Sequence, residues 1–125
     1  MKKISILIIE DDKFILKAMQ SKFKQANFLV KASSSAEEGL KILAKLKPDA
    51  IILDILLPGI NGYEFLEEIK KDPVWNKIPV IIASNLSEDP EITVKENKGY
   101  VDYVVKSELD LDDLVSRTKK IIALQ

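Results

Sequence analysis

Ile4-Ser5-Ile6-Leu7-Ile8-Ile9-Glu10-Asp11-Asp12 is an apolar run that stops abruptly in three consecutive acids. The run is too short for a buried helix and rich in β-branched residues, so it reads as a strand. Its apolar residues are largely consecutive rather than alternating, as in a parallel sheet whose two faces are both covered by helices. Similar runs recur at Ala50–Leu53, Val80–Ala83 and Tyr103–Val105, and a weaker one at Phe28–Ala32 reads as an edge strand.

Between the runs the apolar spacing turns helical. Ile15, Met19 and Phe23 share one face of Lys13–Gln25, and Phe65, Leu66 and Ile69 one face of Gly62–Lys71. Leu111, Leu114, Val115, Thr118, Ile121 and Ile122 line a C-terminal helix. Ser35 and Glu38 have the spacing of a capping box before a helix that offers Leu40, Leu43 and Leu46 to the core. Asp89–Asn97 has few apolar anchors and is predicted as the least firmly packed helix. Strand and helix alternate throughout. The expected fold is therefore α/β, a doubly wound five-stranded parallel sheet of order 2-1-3-4-5 flanked by five helices, the flavodoxin-like arrangement.

Composition narrows the chemistry. A chain of 125 residues suits one domain, 1–125, and no linker or repeat divides it. Its 19 Lys and Arg nearly balance 20 Asp and Glu, so no strong net basic field is expected to hold nucleic acid or an anionic membrane. Cysteine is absent, which excludes disulfides and thiolate sites and fits a reducing compartment. Histidine is absent too, leaving carboxylates, hydroxyls and lysines to do any chemistry. Glu10 and Asp11 break the first apolar run before it could act as a signal peptide or a membrane span, and a cytoplasmic location is expected.

Ligands of an open parallel sheet bind beyond the carboxyl ends of its strands. Here those ends carry Glu10-Asp11-Asp12, Asp54, Ser84 and Lys106. Singly, each has an ordinary explanation. Asp12 caps the next helix, Asp54 starts a turn before Pro58-Gly59, Ser84 bonds the turn after its strand, and Lys106 neutralises acids. Together, several carboxylates need a cation, and oxygen ligands without His or Cys suit Mg²⁺. A carboxylate nucleophile, a metal site, a hydroxyl and a lysine are the parts phosphoryl transfer requires.

The pieces Ile6-Leu-Ile-Ile-Glu10-Asp11-Asp12, Leu53-Asp54-Ile-Leu-Leu-Pro58-Gly-Ile-Asn-Gly62, Val80-Ile-Ile-Ala-Ser84 and Asp102-Tyr103-Val-Val-Lys106, in this order, resemble the receiver domains of two-component response regulators. The resemblance runs from Ile4 to about Leu124. It implies a phosphorelay switch in which Asp54 accepts a phosphoryl group from a sensor histidine kinase or a phosphotransfer protein. By the same resemblance Asp11 and Asp54 bind Mg²⁺, with Glu10 acting through water and Leu56 through its backbone carbonyl. Ser84 and Lys106 bond phosphoryl oxygens, and Tyr103 is a switch aromatic. Such a domain is no enzyme in the usual sense, but assists its own phosphorylation and dephosphorylation.

Phosphorylation is expected to act through the face made by Asp89–Asn97, the last strand and the last helix. Asp102 and Arg117 resemble positions that pair across a phosphorylation-dependent homodimer in some receivers. Direct nucleic-acid binding and membrane association are not expected. Two positions depart from the family pattern: Asn85 stands where a very small residue is usual, and Ser107 replaces the proline after the lysine. Without that proline the Lys106–Ser107 peptide is predicted to be trans.

Competing readings fit less well. A flavin-binding domain needs a phosphate loop that Glu10-Asp11-Asp12 would repel. A phosphatase with an Asp-x-Asp signature fails at Leu56. The remaining alternative is a pseudo-receiver, an interaction module that is not phosphorylated.

Overall fold

The computed structural model describes residues 3–86 and 99–125. β1 (Ser5–Ile9), β2 (Leu29–Ser33), β3 (Ala50–Leu53), β4 (Val80–Ser84) and β5 (Asp102–Val105) form one parallel sheet in the order β2-β1-β3-β4-β5, as expected. Four α-helices lie among the described residues: α1 (Lys13–Gln25), α2 (Ala36–Leu43), α3 (Gly62–Lys71) and α4 (Leu111–Ala123). The helix predicted at Asp89–Asn97 lies outside the described residues.

The consecutive apolar runs arise because each strand feeds two cores. Ile6 and Ile8 of β1 point to one face of the sheet, where they meet Met19 and Phe23 of α1 and Leu114 and Val115 of α4. Leu7 and Ile9 point to the other, against Leu43 of α2 and Phe65, Leu66 and Ile69 of α3. Strand alternation thus splits one run between two layers of helix. Phe23 and Phe28 pack edge to face, with centroids 5.0 Å apart, where α1 turns into β2. β2 is an edge strand and alternates exposed with more buried residues, unlike the fully buried β1, β3 and β4.

Polar residues set where the helices begin. Asp12 accepts from the Phe14 and Ile15 amides and caps α1, the structural role expected of it. Ser35 accepts from the Glu38 amide at the start of α2. A complete capping box opens α3, where Asn61 and Glu64 each bond the other's backbone amide. That box keeps the first residue of α3, Gly62, tight against the end of β3. A Cβ built on Gly62 would lie 2.5 Å from the Asp54 carbonyl oxygen and 2.6 Å from the Ile55 Cα. Only glycine fits so close to backbone.

Candidate functional site

The register of the sheet assembles the site. Ile9 of β1 lies beside Leu53 of β3, so Glu10 and Asp54, the next residue of each chain segment, emerge together at the carboxyl edge. Their backbones stay tied to the sheet, with the Glu10 amide donating to Ser33 O and the Asp54 amide to Ile9 O, both at 3.0 Å. β4 ends in Ser84 beside Val105 of β5, and Lys106 follows in a short 3-10 turn, Lys106–Glu108.

Lys106 bridges the two acids. Its Nζ donates to Glu10 Oε1 at 2.7 Å and to Asp54 Oδ2 at 2.9 Å. Both carboxylates are almost wholly buried, at 1% and 3% exposure. Each also accepts one backbone amide on its other oxygen, Asp12 N–H on Glu10 Oε2 and Leu56 N–H on Asp54 Oδ1. Asp54 is therefore held at both oxygens and has a defined orientation.

Burial lifts Glu10 above the ordinary carboxylate range, and the hydrogen bond from Lys106 pulls it only part of the way back. Burial also disfavours the Lys106 ammonium, but its bonds to Glu10 and Asp54 outweigh that, and its pKa is raised. The lysine is thus locked in its charged form by the acids it joins.

Carboxylate oxygens of Glu10, Asp11 and Asp54 lie within 4.8 Å of one another, and Asp11 is exposed. Three hard oxygen donors, one of them open to water, fit a divalent cation such as Mg²⁺ that keeps part of its hydration shell. Ser84 is fully buried, and its Oγ accepts from the Leu86 amide at 3.3 Å. Tyr103 Oη donates to the Leu86 carbonyl at 2.6 Å, and its ring packs edge-on against Tyr100. Tyr103 and Ser84 therefore meet the same residue, Leu86, from its two backbone sides.

Leu86 and Gly62 were not singled out from the sequence. Both act through backbone: a shared carbonyl and amide in one case, a missing Cβ in the other. Asn85 is exposed, and the Lys106–Ser107 peptide is trans as predicted. Asp102 and Arg117 do pair, but within one chain: Nη1 of Arg117 lies 3.2 Å from Asp102 Oδ2, while its Nε bonds Asp113 at 2.9 Å. No helix among the described residues is long and apolar enough to cross a membrane.

Comparison with known proteins places this geometry in a family. The model of the response regulator receiver domain matches residues 6–119. The transcriptional regulatory protein AfsQ1 of Streptomyces coelicolor is 36% identical over 82% of this chain and 44% of its own length. The chain spans less than half the length of the first curated relatives it matches. A two-component response regulator from Clostridium difficile superposes with a TM-score of 0.86 at 25% identity, covering 97% of each chain. A structure titled as the phosphorylated cyanobacterial phytochrome response regulator RcpA gives 0.79 at 27% identity, covering 96% of this chain and 91% of that one. The chain belongs to the response regulator receiver domain family.

Proposed function

We propose that residues 1–125 act as a phosphoacceptor switch, with Asp54 taking a phosphoryl group from a phosphohistidine on a sensor histidine kinase or phosphotransfer protein. The observation that carries the reading is the shared lysine. One ammonium lies between the buried carboxylates of Glu10 and Asp54, and an amide fixes the second Asp54 oxygen. The relative whose structure is described as phosphorylated supports the same chemistry.

Asp11, Asp54, Glu10 through water and the Leu56 carbonyl would hold Mg²⁺. When bound, the ion neutralises charge on the phosphoryl oxygens. An Asp54 oxygen attacks phosphorus as the P–N bond to the donor imidazole breaks. The bonding pair returns to the ring nitrogen, and the ring leaves neutral because its other nitrogen carries a proton. Lys106, already on Asp54 Oδ2, pairs with a phosphoryl oxygen, and the Ser84 hydroxyl donates to another. The added charge draws Ser84 and its loop inward. Leu86 moves with that loop, so the Tyr103–Leu86 bond is the contact through which the aromatic responds.

Incubation with acetyl phosphate and Mg²⁺, followed by intact-mass spectrometry, tests the proposal. One phosphoryl adduct is expected on the wild type and none on Asp54→Asn. An adduct that persists on Asp54→Asn moves the acceptor elsewhere, and a wild type that stays unmodified under both acetyl phosphate and a histidine donor favours the interaction-module alternative.

A further inference from the structure

Asn61 is the one asparagine in the chain that precedes a glycine. Such a pair is chemically labile. With no Cβ on the glycine to shield it, the backbone nitrogen that follows can attack the side-chain carbonyl carbon of the asparagine. The Nδ2 amide leaves as ammonia, a five-membered succinimide forms, and water opens the ring at either carbonyl to give aspartate or isoaspartate. The step needs no oxidant and no cofactor.

In the folded chain several bonds hold this reaction back. The Gly62 amide, which must lose its proton to attack, donates to the Ile55 carbonyl at 2.9 Å, and Gly62 is buried. Asn61 Oδ1 accepts from the Glu64 amide at 3.0 Å, which fixes the carboxamide over the first turn of α3. The Asn61 backbone is extended, with φ −81° and ψ 175°. In that conformation the Gly62 nitrogen is staggered relative to the Asn61 Cβ, whereas the succinimide ring needs the two nearly eclipsed. All of these restraints are released by one event, the opening of the capping box and the first turn of α3. Asn61 is half-buried and Glu64 exposed, and the Asn61 amide reaches Glu64 Oε1 at 3.2 Å, so this end of the helix opens locally rather than with the whole domain.

The two products differ in what they do to the fold. Aspartate caps a helix as asparagine does, and its charge suits a helix N-terminus. Isoaspartate routes the main chain through the side chain and lengthens it by one carbon immediately before Gly62. There, a Cβ on Gly62 would already lie 2.5 Å from the Asp54 carbonyl oxygen. The start of α3 then loses its seat against the end of β3, and the Leu56 amide that orients Asp54 lies in the same turn.

We propose that Asn61 is a site of spontaneous deamidation gated by the opening of the α3 cap, and that isoaspartate formed there disables the Asp54 switch. The last step rests on the phosphoacceptor reading; the gating and the displacement of α3 do not.

The test ages the full chain in mildly alkaline buffer, native and in denaturing urea, and measures isoaspartate at position 61 by peptide mapping with electron-transfer mass spectrometry. It should form in both, at least about tenfold more slowly in the native chain, because more than one bond must open first. Glu64→Ala breaks one arm of the box at an exposed position, and should speed the native reaction about fivefold while leaving the rate in urea unchanged. Chromatography then separates the isoaspartate form, with Asn61→Asp as the reference for the other product. The isoaspartate form should melt about 5 °C or more below Asn61→Asp. It should also take no phosphoryl adduct from acetyl phosphate and Mg²⁺, whereas Asn61→Asp takes one. An adduct absent from both and from the unaged wild type overturns the phosphoacceptor reading, and the difference in melting still decides whether α3 is displaced. The proposal is overturned by equal rates in the native and unfolded chains, by a native chain that forms no isoaspartate at position 61, by a native rate that Glu64→Ala leaves unchanged, or by an isoaspartate form that melts and is phosphorylated like Asn61→Asp.

Discussion

Replacing Lys106 with methionine removes the ammonium lying between two buried carboxylates. Two charge-assisted hydrogen bonds, at 2.7 and 2.9 Å, are lost. Each is worth roughly 1.5–3 kcal/mol, and leaving a buried charge without its partner costs roughly 3–5 kcal/mol. Methionine still fills the space of the lysine stem, so a loss of about 3 kcal/mol is expected near pH 8, a large share of the roughly 5–15 kcal/mol that holds a domain together.

The cost depends on pH, and its sign follows from Glu10. A carboxyl whose folded pKa is raised holds its proton more tightly folded than unfolded. Its destabilising effect is therefore absent below its ordinary value of 4.5 and grows as pH rises through the window above it. Burial already raises Glu10, and without the Lys106 hydrogen bond it rises further. The variant can then relieve repulsion by protonation of Glu10 in mild acid, and its deficit should be smaller near pH 5 than near pH 8. Lys106 itself stays charged across this range, because its folded pKa lies above 10.5 and its contribution is lost only as pH rises beyond that. Urea unfolding followed by far-UV circular dichroism in EDTA measures both. With a slope of about 1.5 kcal/mol/M, the midpoint should fall by about 2 M near pH 8. A deficit below about 1 kcal/mol near pH 8, or one that is larger near pH 5, would refute the account of Lys106 as the neutralising bridge.

Four further outcomes follow from the structure. Mg²⁺ at ten times its Kd should stabilise the wild type by about 1.4 kcal/mol and Asp11→Asn much less, so equal shifts of the urea midpoint would remove Asp11 from the metal site. Gly62→Ala places a Cβ against the Asp54 carbonyl and the Ile55 Cα, and an overpacking cost of roughly 1–3 kcal/mol should lower Tm by about 5–15 °C in a thermal melt; an unchanged Tm would mean that α3 is free to shift. Arg117→Ala breaks exposed pairs with Asp102 and Asp113 and should cost less than about 1 kcal/mol of stability in urea. If Asp102 and Arg117 exchange partners across a two-fold dimer, Arg117→Glu stays monomeric with beryllofluoride while the wild type dimerises in sedimentation, and identical behaviour of the two excludes that interface.

Much of this arrangement was legible because parallel sheets leave a plain signature. Residues buried on both faces, as in Ile6–Ile9 and Val80–Ala83, produce unbroken apolar runs, and the polar residue ending each run marks the functional edge. The grouping of Glu10, Asp11, Asp54 and Lys106 followed from that rule. The individual bonds did not. That Lys106 spans both Glu10 and Asp54 depends on residues 96 and 52 positions apart, and no local pattern encodes such a distance. Arg117 turns to Asp102 of its own chain because β5 and α4 adjoin in space. The Asn61–Glu64 box was hidden because Asn-Gly also reads as a turn.

The backbone bonds at the functional edge divide it into a fixed jaw and a looser one. Glu10 and Asp54 are tied by backbone bonds to the neighbouring strands through Ser33 and Ile9, whereas the Leu86 amide rests on a side-chain hydroxyl at 3.3 Å and Lys106 sits in a 3-10 turn after β5. Amide hydrogen exchange should separate the two. The Glu10 and Asp54 amides would exchange only with global unfolding, while Leu86 and Leu109 would exchange through local opening. Charge arriving between the jaws then has one side to move, so the direction of the response is set by the sheet before any partner binds.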